Sequence, residues 1–250
     1  MSTAKLSVVI ITHNEEKNIE RCLDSVQTIA DDIVVVDSFS TDATEKICKK
    51  FNANFIQRKW EGYSKTKNFA NTMAQHSWIL SLDADEALSE ELKRSILKIK
   101  EQNELITGEF NRLTNYCGTW IKHCGWYPDK KIRIFDRTTS QWEGSIHEKL
   151  IINSAKPVIH LKGDCLHYSY YTLDDHYKQV AHFTDLLAKD QYEKGKKVSL
   201  IKLYMSPVVK FIRDYIIKLG ILDGYAGLKI STISAYATYL KYYKTRKLYK

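Results

Sequence analysis

Residues 6–37 read LSVVIITHNEEKNIERCLDSVQTIADDIVVVD, and this stretch decides the fold. Residues 6–12 form a short, β-branched, apolar run, the pattern of a strand buried on both faces rather than one face. Residues 18–29 switch to helical spacing, with Ile19, Leu23 and Val26 on one side. Residues 32–37, DIVVVD, are a second buried strand. Strand, amphipathic helix and strand in this order make a βαβ unit, whose strands run parallel under covering helices.

The pattern continues outward from there. Thr41 is placed to cap a helix that carries Glu45 in its first turn and Ile47 and Phe51 on its inner side. Residues 54–57 read as a third strand, 66–74 as a helix and 78–82 (WILSL) as a fourth strand. Beyond Ser89 a charged helix runs to about Lys100. Residues 107–170 change character: Thr, Trp, Tyr and Gly are frequent, and 132–136 and 148–152 are the expected strands. From Leu173 the pattern is helical. The expected fold class is therefore α/β: a Rossmann-like, mostly parallel central sheet with helices on both faces, plus a helical C-terminal extension. The expected domain spans 1–172, in halves 1–100 and 101–172, followed by a basic amphipathic extension at 173–250.

With 250 residues the chain can bury a core of its own, and 44% apolar with 27% charged residues excludes a wholly disordered chain. Three prolines and ten glycines exclude collagen-like and low-complexity readings. The net charge of +8 is uneven: residues 151–250 hold 17 Lys and Arg against 8 Asp and Glu, whereas 1–150 are nearly neutral. Thirteen of the sixteen tyrosines also lie after residue 150. A basic, tyrosine-rich back half points to an anionic surface, membrane or nucleic acid. The five cysteines (22, 48, 117, 124, 165) are odd in number and form no CxxC pair, as expected of free thiols in a reducing, cytoplasmic setting. The N-terminal residues lack a signal-peptide layout, and no run approaches ~18 apolar residues.

Ligands of open α/β sheets bind at the carboxyl ends of the strands. After strand one come Thr12, His13, Asn14, Glu15 and Glu16; after strand two, Asp37, Ser38, Ser40, Thr41 and Asp42; after strand four, Asp83, Asp85 and Glu86. Crowded carboxylates repel one another, so this rim calls for a cation or cationic ligand. Asp83 and Asp85, two apart at a strand end, offer the hard oxygens that Mg²⁺ or Mn²⁺ takes together with substrate phosphates. Neither G-x-G-x-x-G nor a P-loop string occurs, which disfavours kinases, simple NTPases and dinucleotide oxidoreductases.

Three segments in this order and spacing, VVIITHNEEKNIERCLDSV, DIVVVDSFSTDATEKI and YSKTKNFANTMAQHSWILSLDADEAL, resemble the family 2 glycosyltransferases of the GT-A fold. The middle region, CGTWIKHCGWYPDKKIRIFDR followed by WEGSIHEKL, resembles the bacterial subgroup of β-glucosyltransferases that act on the lipopolysaccharide inner core. The resemblance implies an inverting, metal-dependent hexosyltransferase that uses a UDP-sugar, UDP-glucose first, and a lipid-linked saccharide acceptor at the inner face of the cytoplasmic membrane. Exopolysaccharide or capsule assembly, or an inactive sugar-nucleotide-binding or membrane-binding module, are the alternatives. It also implies roles. Thr12, Asn14, Glu15 and Ser38 line the nucleotide pocket, Asp37 meets uracil or ribose, Lys67 the pyrophosphate, Asp83 the ribose and Asp85 the metal. Glu148 in GSIHEKL is the matching base, with Asp129 and Glu143 as rivals; His147-Glu148 stands where many members carry Glu-Asp. A late histidine often completes the metal shell in such enzymes, which brings in His167, with His160 second.

Trp120, Trp126, Tyr127 and Trp142 could stack on sugar rings, while Lys130, Lys131 and Arg133 could meet a phosphorylated acceptor. Trp126, Tyr127 and Arg133 are the acceptor residues expected to matter most. In residues 200–222 an apolar stripe alternates with Lys202, Lys210, Arg213 and Lys218, the composition of a helix lying on anionic lipid. Ordinary helix packing or a homodimer is the alternative for this tail. Nucleic acid is not an expected partner, since the chain has no recognition motif and its front is acidic.

Overall fold

A computed structural model describes residues 3–144, 148–153 and 157–249. The chain divides into two compact units, Met1–Arg112 with Asp129–His167, and Leu113–Pro128 with Tyr168–Lys250.

In the first unit β1 (Leu6–Thr12), β2 (Asp32–Asp37), β3 (Asn54–Gln57) and β4 (Trp78–Asp83) pair in parallel in the order β3-β2-β1-β4. All seven residues of β1 are buried. Leu6, Val8 and Ile10 face the helix α1 (Ile19–Val26) through Ile19, Leu23 and Val26, while Val9 and Ile11 face Ala70, Ala74 and Phe135. Each fully buried aliphatic side chain of this kind stabilises the fold by roughly 1.5–3 kcal/mol. The central strands thus hold two cores apart, which is why their sequence shows no alternation.

Beyond β4 the sheet turns antiparallel. β8 (Asp129–Asp136) pairs with β4, β6 (Thr107–Tyr116) pairs with β8, and β11 (Val158–Tyr170) and β5 (Glu86–Leu88) complete the order β3-β2-β1-β4-β8-β6-β11-β5. The α/β architecture with helices on both faces is present, and its parallel strands are confined to the first four. β5, β6 and most of β11 carry no expectation from the sequence. β6 (TGEFNRLTNY) and β11 (VIHLKGDCLHYSY) mix charged, amide and glycine residues into their runs, which hides the strand period. Gly163 inside β11 has φ +96°, and a Cβ there would lie 2.3 Å from the Leu92 amide nitrogen, at the start of α4 (Glu90–Gln102). Only glycine permits that approach.

Helix ends also differ from expectation. α2 (Thr44–Lys50) begins after Ala43 rather than after Thr41, because Asp42 receives the Thr44 amide and hydroxyl while Thr41 is bound to Asn14. α3 (Tyr63–Thr72) starts three residues before the expected 66, and α4, expected beyond Ser89, begins at Glu90 with Ser89 as its cap. A hairpin of β9 (Ser140–Glu143) and β10 (Lys149–Ile152) stands off the main sheet. α3 holds it: the Asn68 side chain accepts from the Trp142 amide (2.9 Å) and donates to the Trp142 carbonyl (2.8 Å), and the Ser64 hydroxyl donates to the Gly144 carbonyl (2.5 Å).

The second unit is built on α5 (Leu173–Glu193), α6 (Leu200–Ile212) and α7 (Gly224–Lys247). A π-helical turn at Arg213–Ile217 and a 3₁₀ turn at Gly220–Asp223 join the last two. Gly227 allows α7 to meet the carbonyl of Gly220, where a Cβ would lie 1.9 Å away. The end of β6 turns into β7 (Thr119–Ile121) to form a short hairpin in this unit, and Tyr116, Ile121, Cys124 and Ile230 form a small core.

Candidate active site

The chain builds β1, β2 and β3 outward, then returns to the other flank of β1 to lay down β4. That reversal is the topological switch point, where open α/β sheets place their ligands. Register brings Thr12 opposite Asp37 and Ile11 opposite Asp83, so three strand ends lie at one level.

The loops above them are tied together by polar side chains. Asn14 adopts a left-handed φ of 55°, its amide donates to Ser40 Oγ (2.7 Å), and its Oδ1 accepts from the Thr41 amide (2.8 Å). Glu15 donates its amide to Thr44 Oγ1 and accepts from the Asn18 side chain (2.8 Å). Burial pushes the Glu15 carboxyl up; the Asn18 amide opposes the shift, and the charges of Asp85, Asp42 and Asp83 add to it. Asp37 is fully buried and braces its own loop, accepting from both the amide and the hydroxyl of Ser40. Two buried hydroxyls on these strand ends, Thr12 Oγ1 and Ser38 Oγ, have no hydrogen-bond partner among the described residues. Unsatisfied buried hydroxyls in an otherwise braced rim mark a place where a polar ligand can bind.

At the end of β4 the charges are ordered rather than crowded. Lys67, on α3, is buried to 1% exposure. Its Nζ lies 2.9 Å from Asp83 Oδ1 and 3.3 Å from Glu148 Oε1, above the Trp142 ring (4.8 Å to the centroid). The second oxygen of Asp83 accepts from Arg133 (2.8 Å), and the same guanidinium nitrogen reaches Glu86 (2.9 Å). Burial opposes ionisation of Asp83, but Lys67 and Arg133 outweigh it and hold the carboxyl well below the usual carboxylate range. Burial likewise works against the Arg133 cation, and Glu86 with Asp83 reverses the sign and raises its pKa. Arg112 continues the chain of charges, 3.5 Å from Glu86 and 2.9 Å from Asp129.

Asp85 points elsewhere: its Oδ2 lies 3.1 Å from His167 Nε2, on β11. Among the described residues no group of three His, Cys, Asp or Glu side chains gathers as a metal cage. One carboxylate and one imidazole nevertheless fit a cation whose remaining ligands are waters and phosphate oxygens.

The structure thus brings Thr12, Asn14, Glu15, Asp37, Ser38, Lys67, Asp83, Asp85, Glu148 and His167 into one unit, most of them on one rim. Glu148 sits one residue before β10, where the α3–β9 hydrogen bonds carry it to Lys67. Its rivals are placed differently: Asp129 is held by Arg112 and Lys131 (2.9 Å), and Glu143 is exposed on β9. His160 pairs with Glu109 at 3.2 Å, and His147 lies outside the described residues. Arg133, expected on the acceptor side, is 5% exposed and occupied by Asp83 and Glu86, so it is placed to position Asp83 rather than to meet a bulky acceptor. Trp142 is core, edge-on to Phe135 at 6.0 Å. Trp126 and Tyr127 belong to the second unit, where Trp126 packs edge-on against Tyr116 (5.8 Å) beside His176. The sequence marks Glu86 only as one acid of the rim and gives no role to Arg112 or Tyr63. Glu86 stands in the DADE string, but nothing in the sequence tells that it is the one acid turned inward. Burial, then the charges of Asp83, Glu148 and Asp85, push the Tyr63 phenol up.

Residues 7–154 match the model of glycosyl transferase family 2. The chain is 31% identical over 255 residues to an uncharacterised glycosyltransferase of Rickettsia typhi, covering 98% of this chain and 87% of that protein. It is 26% identical over 263 residues to the lipopolysaccharide core biosynthesis glycosyltransferase LpsC of Rhizobium meliloti, covering 97% and 93%. Among solved structures, Staphylococcus aureus TarS 1–349 in complex with UDP superposes with a TM-score of 0.47 at 18% identity, over 96% of this chain and 91% of that one. The family match spans the switch-point rim and both strands that flank it, and the chain belongs to glycosyl transferase family 2, a glycosyltransferase with a GT-A-like α/β fold.

Proposed function

We propose that the chain is an inverting transferase that moves a hexose, glucose first, from a UDP-sugar to a lipid-linked saccharide of the lipopolysaccharide core type. The observation that carries this reading is the buried Lys67 ammonium shared by Asp83 and Glu148 at the switch point. It ties one carboxylate, at the end of β4, to the rim where Thr12 and Ser38 offer free hydroxyls, and holds a second carboxylate on the same cation. Thr12, Asn14, Glu15, Asp37, Ser38 and Asp83 bind the nucleotide, and Lys67 lies by the diphosphate.

Glu148 accepts the proton of the acceptor hydroxyl. The acceptor oxygen bonds to the anomeric carbon as the bond from that carbon to the diphosphate oxygen breaks on the opposite face. One such displacement inverts the centre, giving a β-linkage from an α-linked donor. Asp85 and His167 would hold a Mg²⁺ or Mn²⁺, which supplies neutralising charge to the diphosphate. The acceptor class draws support from the likeness to LpsC, whose name places that protein in lipopolysaccharide core biosynthesis. In this reading residues 1–172 form the transferase domain and 173–250 an extension that serves the acceptor's lipid.

Glu148→Gln tests the assignment: UDP-sugar binding by calorimetry should persist while transfer falls by roughly 10²–10⁴. A variant with wild-type turnover would remove Glu148 as the base.

A further inference from the structure

The second unit shows a surface that its own packing leaves uncovered. α6 buries Leu203 and half-buries Pro207 and Lys210 on its inner side, and Asp214 continues that side into the π-helical turn. The opposite side is apolar and open. Ile201, Val209, Ile216, Ile217, Leu222 and Tyr225 are 58–77% exposed, and they are spread from α6 through both turns to the start of α7. So many large apolar side chains open to solvent on one short segment mark an interaction site.

The charges that this segment itself turns outward are of one sign. Residues 200–250 contain ten Lys and Arg and two acids, Asp214 and Asp223. Both acids are turned inward: Asp214, 2% exposed at its side chain, binds Lys210 and Arg213, and Asp223, 5% exposed, accepts from the His123 amide (2.9 Å) and faces its ring at 2.8 Å. Lys202 and Lys218 flank the apolar side and are exposed. No acid of this segment therefore faces outward to answer the basic fringe.

We infer that residues 200–225 form a membrane-docking face for an anionic lipid surface, with the apolar side entering the headgroup boundary and Lys202 and Lys218 meeting lipid phosphates. No helix among the described residues is long and apolar enough to cross a membrane, so the segment lies on the bilayer. A second copy of the chain fits this face poorly. In a two-fold interface the same patch meets its own copy, which sets one basic fringe against another with no outward acid of residues 200–225 to pair. The inference does not depend on the donor or the base, and its failure would leave both standing.

The test is co-sedimentation of the full chain with vesicles of phosphatidylcholine alone or with phosphatidylglycerol added. The protein should pellet with the anionic vesicles and bind neutral ones at least tenfold more weakly. The triple substitution Ile201→Ser, Ile217→Ser and Leu222→Ser should lose at least tenfold in vesicle affinity, while UDP-sugar binding and the circular-dichroism melt stay as in wild type. Lys202→Gln and Lys218→Gln should each weaken binding about five-fold. Equal binding to neutral vesicles, no binding to either, or a concentration-dependent dimer in light scattering that the serine substitutions abolish would each overturn the inference.

Discussion

Arg133→Met is the perturbation that reads the buried charge network most clearly. The Arg133 side chain is 6% exposed, and one of its nitrogens serves two carboxylates, Asp83 at 2.8 Å and Glu86 at 2.9 Å. Methionine fills much of the volume but supplies no charge. Among the described residues Glu86, whose side chain is fully buried, then keeps the Asp83 amide (3.0 Å) and, as a cation, Arg112 at 3.5 Å, and Asp83 keeps Lys67 as its cation. Removing one partner of a buried ion pair costs about 3–5 kcal/mol, because the other charge stays in a poorly solvated place. Urea unfolding at pH 7, followed by circular dichroism, should show a loss of that size. Arg133→Lys should lose less than Arg133→Met, since an ammonium restores the charge even though its stem is shorter and its geometry differs. The pH dependence has a fixed sign. Asp83 is depressed in the folded protein, so its pairing stabilises fully above the unfolded carboxylate value near ~3.9 and fades only as pH falls through the lower folded value. With one cation gone the folded value rises, and acid unfolding of the variant should begin at a higher pH than in wild type. A loss below about 1 kcal/mol, with an unchanged acid limb, would refute a network in which Arg133 holds Asp83 and Glu86.

Other consequences can be checked on the same protein. Lys67→Met should leave Glu148 unanchored and lower transfer about a hundredfold with a smaller change in donor affinity; equal losses in both would argue that Lys67 acts on the donor alone. His176, buried against the Tyr116 hydroxyl at 2.8 Å, is pushed down to about 4 by burial. The unfolded chain takes that proton first, so stability should be complete above pH ~6.5 and drop by about 3 kcal/mol as pH falls through about 4, a slope that His176→Phe should flatten in urea titrations at successive pH values. Gly163→Ala should cost about 1–3 kcal/mol, read from the urea midpoint, because its Cβ would press on the Leu92 amide and its φ of +96° disfavours any side chain.

The parallel half of the sheet was legible because its strands lie between two cores. β1 and β2 must be apolar on both sides, and both were placed to the residue; β4 came out one residue longer than its apolar run, ending at Asp83. β6 and β11 escaped because a strand that carries site residues cannot be uniformly apolar: Arg112 stands in the one, and Gly163 and His167 in the other. For the rim, strand-end position was enough to name Thr12, Asp37, Asp83 and Asp85. Direction was not. Sequence cannot tell that Asp83 turns to Lys67 and Arg133 while Asp85 turns to His167, since two residues on one short turn face apart only once the turn is folded. Arg133 shows the same limit. Its neighbours Lys130 and Lys131 are on the surface, yet Arg133 itself points into the sheet with Ile134 and Phe135 buried beside it.

The central claim is that the rim at the ends of β1, β2 and β4 holds a nucleotide-sugar with a divalent cation at Asp85. Calorimetric titration of UDP-glucose into the full chain with Mn²⁺, repeated with chelator and with Asp85→Ala, tests it most directly. The account predicts binding to the wild-type protein that Mn²⁺ strengthens at least tenfold and that both chelation and Asp85→Ala reduce to the metal-free level. Binding that neither chelator nor Asp85→Ala alters would contradict it.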